Sequence, residues 1–196
     1  KEKYHQVIGI TMLLHPEQEE GMVESVQKVA DTLKIPLHMV DYRKLFEIRV
    51  TTPFCNEYRQ GRTPNPCIYC NNHIKFHALL KEVRQMGADF LATGHYARIT
   101  KSNNSYQLLK GIDHSKDQSY FLYGLSQAQL ARTSFPLGDY LKSEVRQLAA
   151  EKGISGHFRP ESQEICFISN RDYRDFLEEH LGAGLPGPGP ILDLKG

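Results

Sequence analysis

Apolar and polar positions along the chain switch between two periods, and the switches mark the elements. "HQVIGITMLL" (His5 to Leu14) is a compact apolar run with β-branched residues, the mark of a buried strand. In "EQEEGMVESVQKVADTLKI" the period lengthens. Met22, Val23, Val26, Val29, Ala30 and Leu33 share one helical stripe that ends at Pro36. "PLHMVDY" (Pro36 to Tyr42) predicts a second short strand, and the stretch that follows is left as a loop. "HIKFHALLKEVRQMGA" predicts a helix with Ile74, Phe76, Leu79, Leu80 and Val83 inward and Gly87 as its stop. "DFLATGHYARI" (Asp89 to Ile99) predicts a third strand running into a Gly-His turn.

This order predicts an α/β fold, a parallel sheet with helices on both faces. Ligands of such sheets bind beyond the carboxyl ends of the strands, and Met12, Cys67 and Gly94 fall near those ends. Downstream, "KSNNSYQLLKG" reads as a short hairpin. The pattern then turns helical in "DQSYFLYGLSQAQLART", "KSEVRQLAAEKG" and "NRDYRDFLEEHLG". "EICFI" reads as a strand or buried linker, and "GAGLPGPGPILDLKG" as a Gly/Pro-rich linker into something else. The expected division is an α/β unit over 1–112, a helical segment with the last cysteine over 113–182, and a linker over 183–196.

Composition narrows the class. The 196 residues suffice for one good core, 40% are hydrophobic and 24% charged, and the net charge is +1, so no global pull toward nucleic acid or membrane exists. No apolar run approaches the roughly 20 residues that span a bilayer. The apolar start leads into "HPEQEE" without a small-residue cleavage site, so a cytoplasmic protein with reduced thiols is expected. Four cysteines are too few for a disulfide scaffold. Cys67, Cys70 and Cys166 stand beside turn-forming or charged residues, where cysteine is more often chemical than structural.

"GRTPNPCIYCNNHIKF" (Gly61 to Phe76) holds two of them. Its prolines force extended backbone before them, which predicts a helix start near Cys70 or Asn71. A thiol there is acidified by the free N–H groups, as a nucleophile requires; the bland alternative is a buried apolar cysteine. A zinc reading uses Cys67, Cys70, His73 and His77, but zinc sites separate their ligand pairs by about a dozen residues. An iron–sulfur reading uses Cys67, Cys70 and Cys166 with one iron open. "ATGHYAR" puts Gly94, which allows close backbone approach, beside His95 at the sheet's mouth. In "GIDHSKDQSYFL", Lys116, Asp117 and Gln118 suit phosphate and base-edge contacts, or a plain helix cap. No glycine-rich loop follows a strand in the manner of a methyl-donor nucleotide site, so a methyltransferase reading has no support.

Taken in order, "GRTPNPCIYCNNHIKF", "GADFLATGHYAR", "DHSKDQSYFLYGLS", "FPLGDYLKSEVRQLA" and "SQEICFI" resemble the bacterial tRNA-uridine 2-sulfurtransferases, or tRNA 2-thiouridylases, across nearly the whole chain. That family is similar in fold to the N-type ATP pyrophosphatases, an adenine nucleotide alpha hydrolase-like sheet followed by a helical tRNA-binding segment. The resemblance implies ATP-dependent 2-thiolation of the wobble uridine of tRNA. The C2 oxygen is adenylated, with ATP and Mg2+, and then replaced by persulfide sulfur from a sulfur-carrier protein or cysteine desulfurase. It implies Cys70 as nucleophile and Cys166 as persulfide carrier, joined by a disulfide at the end of a cycle. It further implies adenosine contacts at Met12 and Gly94, and tRNA contacts at Asn65, Pro66, Cys67, His95, Lys116, Asp117 and Gln118.

Two departures qualify it. The family's Ser-Gly-Gly-x-Asp-Ser loop, which cradles pyrophosphate, is expected just before Lys1, and its C-terminal β-rich domains after "GPGPILDLKG", so the chain looks like a fragment. Many members also carry Asp where this chain has Cys67. A third thiol there suits either redox backup or a [4Fe-4S] cluster on Cys67, Cys70 and Cys166. A zinc- or iron–sulfur-binding RNA module without catalysis is the alternative function.

Overall fold

The computed structural model describes residues 6–15, 20–154, 165–168, 172–185, 187, 189 and 190. Strand β1 (Gly9–Leu13) leads through helix α1 (Glu20–Leu33) into strand β2 (Leu37–Asp41), which pairs with β1 in parallel from Gly9↔Leu37 to Leu13↔Asp41. This is the βαβ unit that the switching period predicts.

The expected loop after β2 is helical instead. Helix α2 covers residues 43–59: an α-turn at Arg43–Phe46, a π-helical stretch at Glu47–Thr51, and an α-helix at Thr52–Arg59. Pro53 obscures it in the sequence, but that proline sits in the first turn of the α-helical part. The widened turns ahead of it already lack the regular hydrogen-bond ladder that proline breaks. Phe46, Val50, Phe54 and Cys55 form its buried face.

Helix α3 covers residues 66–85, with an α-turn at Pro66–Tyr69, a ten-residue π-helical stretch at Cys70–Leu79 and an α-helical end at Leu80–Gln85. It starts four or five residues earlier than expected. Proline is tolerated at the first helical position, and the Asn65 side chain caps the turn by accepting the Cys67 N–H at 3.1 Å. Gly87 stops the chain's helical course as predicted, with φ +82°.

The predicted third strand is two strands. Strand β3 (Leu91–Ala92) ends before Gly94, and the chain turns at His95, where the Ala97 N–H donates to the His95 carbonyl. It then enters a hairpin of β4 (Ala97–Ser102) and β5 (Ser105–Lys110). The hairpin's two-residue turn is Asn103-Asn104, both at positive φ, a conformation asparagine tolerates. Strand β6 (Thr133–Ser134) returns to pair in parallel with β3.

Between β5 and β6 lie a 3₁₀ turn (Ser119–Leu122) and short helix α4 (Gln127–Leu130), capped by a reciprocal Ser126–Gln129 box. Helix α5 (Lys142–Glu151) and helix α6 (Tyr173–Leu181) follow, as the later helical patterns predict. "EICFI" forms a turn over its described part, residues 165–168. Pro160 to Glu164 and most of the Gly/Pro-rich linker lie outside the described residues.

Two buried clusters organise these elements. The first unites Val40, Phe76 and Leu91 with Leu122, Leu130 and Phe135, so the expected boundary at residue 112 does not divide the core. The second gathers Phe46, Phe54, Cys70 and Ile74 with Phe167 and Phe176. Met12 and Tyr42 touch both.

Gly138 shows how tightly the hairpin is seated. A Cβ there would fall 1.8 Å from the Ala97 carbonyl oxygen, a backbone atom that cannot move aside alone. Gly138→Ala is therefore expected to lower stability by at least about 3 kcal/mol, at or beyond the upper end of overpacking costs, read as a fall in the urea midpoint.

Candidate active site around Cys70

Cys70 is the fifth residue of α3, past the first turn, and 7% exposed. Burial pushes its thiol up to about 11, and the Cys166 and Cys67 thiols add to the rise. The expected acidification by a helix start is overturned, because the field of free N–H groups fades within one turn. What opposes the rise is Lys75. In an α-helix a residue five positions on lies about 1.4 turns away. The π-helical stretch closes its hydrogen bonds from i to i+5, which carries Lys75 back toward the side of Cys70. The half-buried Lys75 also acts on Cys166 and on His95.

Cys166 arrives from the far end of the sequence. Its neighbours Phe167 and Ile168 are buried in the cluster that holds Cys70. The Phe167 ring meets Phe46 and Phe54 edge-on, each at 5.4 Å between centroids, and Phe176 at 5.3 Å. Each aromatic pair of this kind contributes about 0.5–1.5 kcal/mol beyond its area. Phe167 thus pins the turn, and the Cys166 thiol lies within the electrostatic reach of Cys67, Cys70 and Lys75. Burial and the Cys67 thiol push Cys166 up as well, although the residue is exposed. That open face is the better guide to its reactivity. All four cysteines are free thiols in the structure, with Cys67 exposed in the first turn of α3.

The other expected site residues fall into two sorts. Asn65 caps α3, and Pro66 is buried as its first residue. Asp117 accepts the Gly111 and Ser119 N–H groups and the Ser119 hydroxyl. Burial works against its charge, but these bonds outweigh it and hold the carboxyl below its usual range. Gln118 bonds reciprocally with the Tyr96 backbone, its Oε1 accepting the Tyr96 N–H while its own N–H donates to the Tyr96 carbonyl. Lys116 lies in the field of Asp113. Asp117 therefore fits the capping reading of this string, while Gln118 braces the Tyr96 backbone and makes no side-chain cap bond.

His95 follows Gly94 past the carboxyl end of β3 but is buried, 8% exposed: its ring packs against Phe76 and Phe135, and Nδ1 is hydrogen-bonded to Thr93 Oγ1 at 2.7 Å. Burial, with Lys75 adding, drops it to about 3, so the imidazole is neutral throughout the physiological range. Met12 lies one residue before the end of β1 and Gly94 two residues past β3, both at carboxyl ends of parallel strands. A Cβ on Gly94 would meet only Leu137, at an ordinary 3.6 Å. Packing alone does not demand glycine there, and the open backbone suits the flat approach of an adenine nucleotide.

A metal centre fits less well. Among the described residues, which include Cys67, Cys70, Cys166, His73 and His77, no three His, Cys, Asp or Glu side chains stand together as a ligand set. Neither a zinc site nor a three-thiolate cluster is preassembled.

Residues 1–170 match the family described as "tRNA methyl transferase HUP domain". The chain belongs to that family. It is 50% identical over 176 residues to the tRNA-specific 2-thiouridylase MnmA of Desulforamulus reducens, covering 89% of this chain and 48% of that protein. It is 44% and 46% identical to the proteins of the same name from Halothermothrix orenii and Moorella thermoacetica, covering all of this chain and 58% of each. The chain thus spans about half the length of the curated relatives it matches. The HUP domain fixes the fold class as an α/β domain of the adenine nucleotide alpha hydrolase-like kind. Lys75 is the residue that sequence reasoning missed. Its signal was its spacing of five from Cys70, which has meaning only once the helix is known to widen.

Two outcomes follow from this geometry. Alkylation of Cys70, mapped by peptide mass, should be slow at pH 8 and rise about a hundredfold by pH 10, since thiolate is the reactive form and its fraction grows tenfold per pH unit below pKa. Phe167→Ala should slow oxidative formation of a Cys70–Cys166 disulfide while leaving Cys67 alkylation unchanged, with a cost of about 3–5 kcal/mol in docking the turn.

Proposed function

We propose that this chain is the thiol-bearing part of a tRNA-uridine 2-sulfurtransferase acting in the cytoplasm, where its cysteines stay reduced. The observation that carries the reading is the docking of the Cys166 turn on the cluster that holds Cys70. Two thiols nearly a hundred residues apart share one electrostatic neighbourhood, as a two-thiol transfer needs. The relatives' printed names agree in substrate and product class. The family's description contains the words methyl transferase. A pair of neighbouring thiols suits sulfur transfer, and the sequence offers no glycine-rich methyl-donor loop after a strand.

In this scheme adenosine lies against Met12 and Gly94, and ATP with Mg2+ supplies the adenylation that turns the C2 oxygen into part of a leaving AMP. A cysteine desulfurase or sulfur carrier hands sulfane sulfur to the accessible Cys166. The terminal sulfur of the Cys166 persulfide attacks C2, and AMP departs with the C–O electron pair. The base is then held through a disulfide to Cys166. Cys70, as thiolate, attacks the Cys166 sulfur. The Cys70–Cys166 bond forms and 2-thiouridine leaves with the electron pair of the broken S–S bond. A cellular dithiol returns both cysteines to thiols. Burial keeps Cys70 protonated until the base arrives, and the Lys75 ammonium favours the thiolate once its proton is lost. No step is routed through an iron–sulfur cluster, for want of an assembled ligand set.

The test is thiolation of a wobble-uridine tRNA by the protein that carries this chain, supplied with ATP and a persulfide donor. Cys70→Ser and Cys166→Ser should each reduce 2-thiouridine formation at least a thousandfold, the range of loss for an essential nucleophile, with thermal unfolding nearly unchanged. Full thiolation by either variant would end the two-thiol scheme.

A further inference from the structure

Tyr120 and Tyr123 show 67% and 68% of their surface to solvent, more than any other large apolar side chain among the described residues. Their ring centroids are 6.2 Å apart and the rings are tilted by 46°, so neither covers the other's face. The turn that carries them is rigid. Leu122 between them is fully buried in the first cluster. The Ser119 hydroxyl donates to Asp117, and the Phe121 carbonyl accepts from Asn71 Nδ2 at 2.9 Å. Gly124 lies so close to α3 that a Cβ on it would come within 2.7 Å of Asn72 Oδ1. Asn71 and Asn72 directly follow Cys70. The residues next to the nucleophile therefore clamp the turn that presents the two tyrosines.

From this juxtaposition we infer that Tyr120 and Tyr123 form a stacking platform for unpaired nucleobases beside the target uridine. The inference rests on the thiolation reading for its occupant. Two exposed faces on a fixed turn are preorganised for a flat π surface, and each phenol keeps a wet edge, which suits a base with polar rims better than an aliphatic side chain. Half-buried Lys116 precedes Tyr120 by four residues and supplies a cation on the same loop for a polyanionic strand. Stacking tolerates any base, so the platform would grip the loop next to the uridine while the pocket at Cys70 reads the uridine itself.

The probe is a stem-loop RNA whose loop holds an unpaired uridine flanked by 2-aminopurine, bound to the chain and followed by fluorescence at several salt concentrations. Tyr120→Ala and Tyr123→Ala should each weaken binding about tenfold, as loss of one base–aromatic stack does, without changing the salt slope. Tyr120→Phe and Tyr123→Phe should stay within about twofold, because stacking needs the ring and not the hydroxyl. Both side chains are exposed, so melting temperature should hold in all four variants and serves as the folding control. Alanine variants that bind as the wild type does overturn the platform. So does a loss of affinity that comes with a shallower salt slope, which marks phosphate contacts, or a change confined to self-association in gel filtration, which marks a second copy as the occupant. A wild-type chain that binds no stem-loop fails the RNA reading itself, and the platform falls with it.

Discussion

The packing of Phe167 into the aromatic cluster of α2 and α6 is the constraint on which the site depends. Without it, Cys166 is one residue in a distant part of the chain, and Cys70 is a buried cysteine with no chemical partner. Three aromatic contacts, to Phe46, Phe54 and Phe176, hold one turn against α2 and α6. Their summed contribution, a few kcal/mol by the usual worth of such pairs, is enough to hold a short exposed turn against its own entropy. That energy sets the meeting of two thiols that the sequence separates widely. Helix α2 supplies the socket through its buried face, Phe46 and Phe54.

The same cluster imposes a cost that the site then manages. Seating Cys70 in this cluster raises its thiol to about 11, which keeps it mostly protonated and so slow to react at neutral pH. The opposing charge comes from Lys75, on the same helix, and reaches Cys70 through a change of helical pitch. A regular α-helix would direct that ammonium elsewhere, and a cation from a loop would be held less firmly. His95 shows the reverse effect of the same surroundings: burial and Lys75 together keep it neutral, so it serves as a wall with a fixed hydrogen bond to Thr93.

The parts of the fold readable from the sequence were those where one local rule acts alone. The β1–α1–β2 unit, the stop at Gly87, the hairpin near residues 101–111 and the helices after residue 141 all follow from periodicity or turn chemistry. The misses share a cause. Helix α2 hides because its proline falls among widened turns, where it breaks nothing. The strand expected over 89–99 splits because Gly94-His95 redirects the backbone into the hairpin. Helix α3 begins at Pro66 because the extended bias before proline ends at Asn65, which caps the helix, and proline itself fits the first helical position. In the site, Cys70 and Cys166 were singled out by resemblance. Their environment was not legible, since burial and helical pitch are properties of the packed molecule.

Much of the motif that singles out this family acts on the architecture of the site and not on a ligand directly. Asn65 and Pro66 begin the helix that holds Cys70. Asp117 and Gln118 tie their loop to Gly111 and Tyr96. Asn71 reaches the Phe121 carbonyl from the position next to Cys70. These bonds are short-range, yet together they tie the ends of the β4–β5 hairpin to the tyrosine turn and that turn to α3. A polar group spent on such a bond cannot also read a base without breaking it, and breaking a buried bond leaves an unsatisfied donor or acceptor at a cost of about 1–3 kcal/mol. Recognition is then better placed on groups that the framework leaves exposed, and among the described residues the most exposed large apolar side chains are Tyr120 and Tyr123.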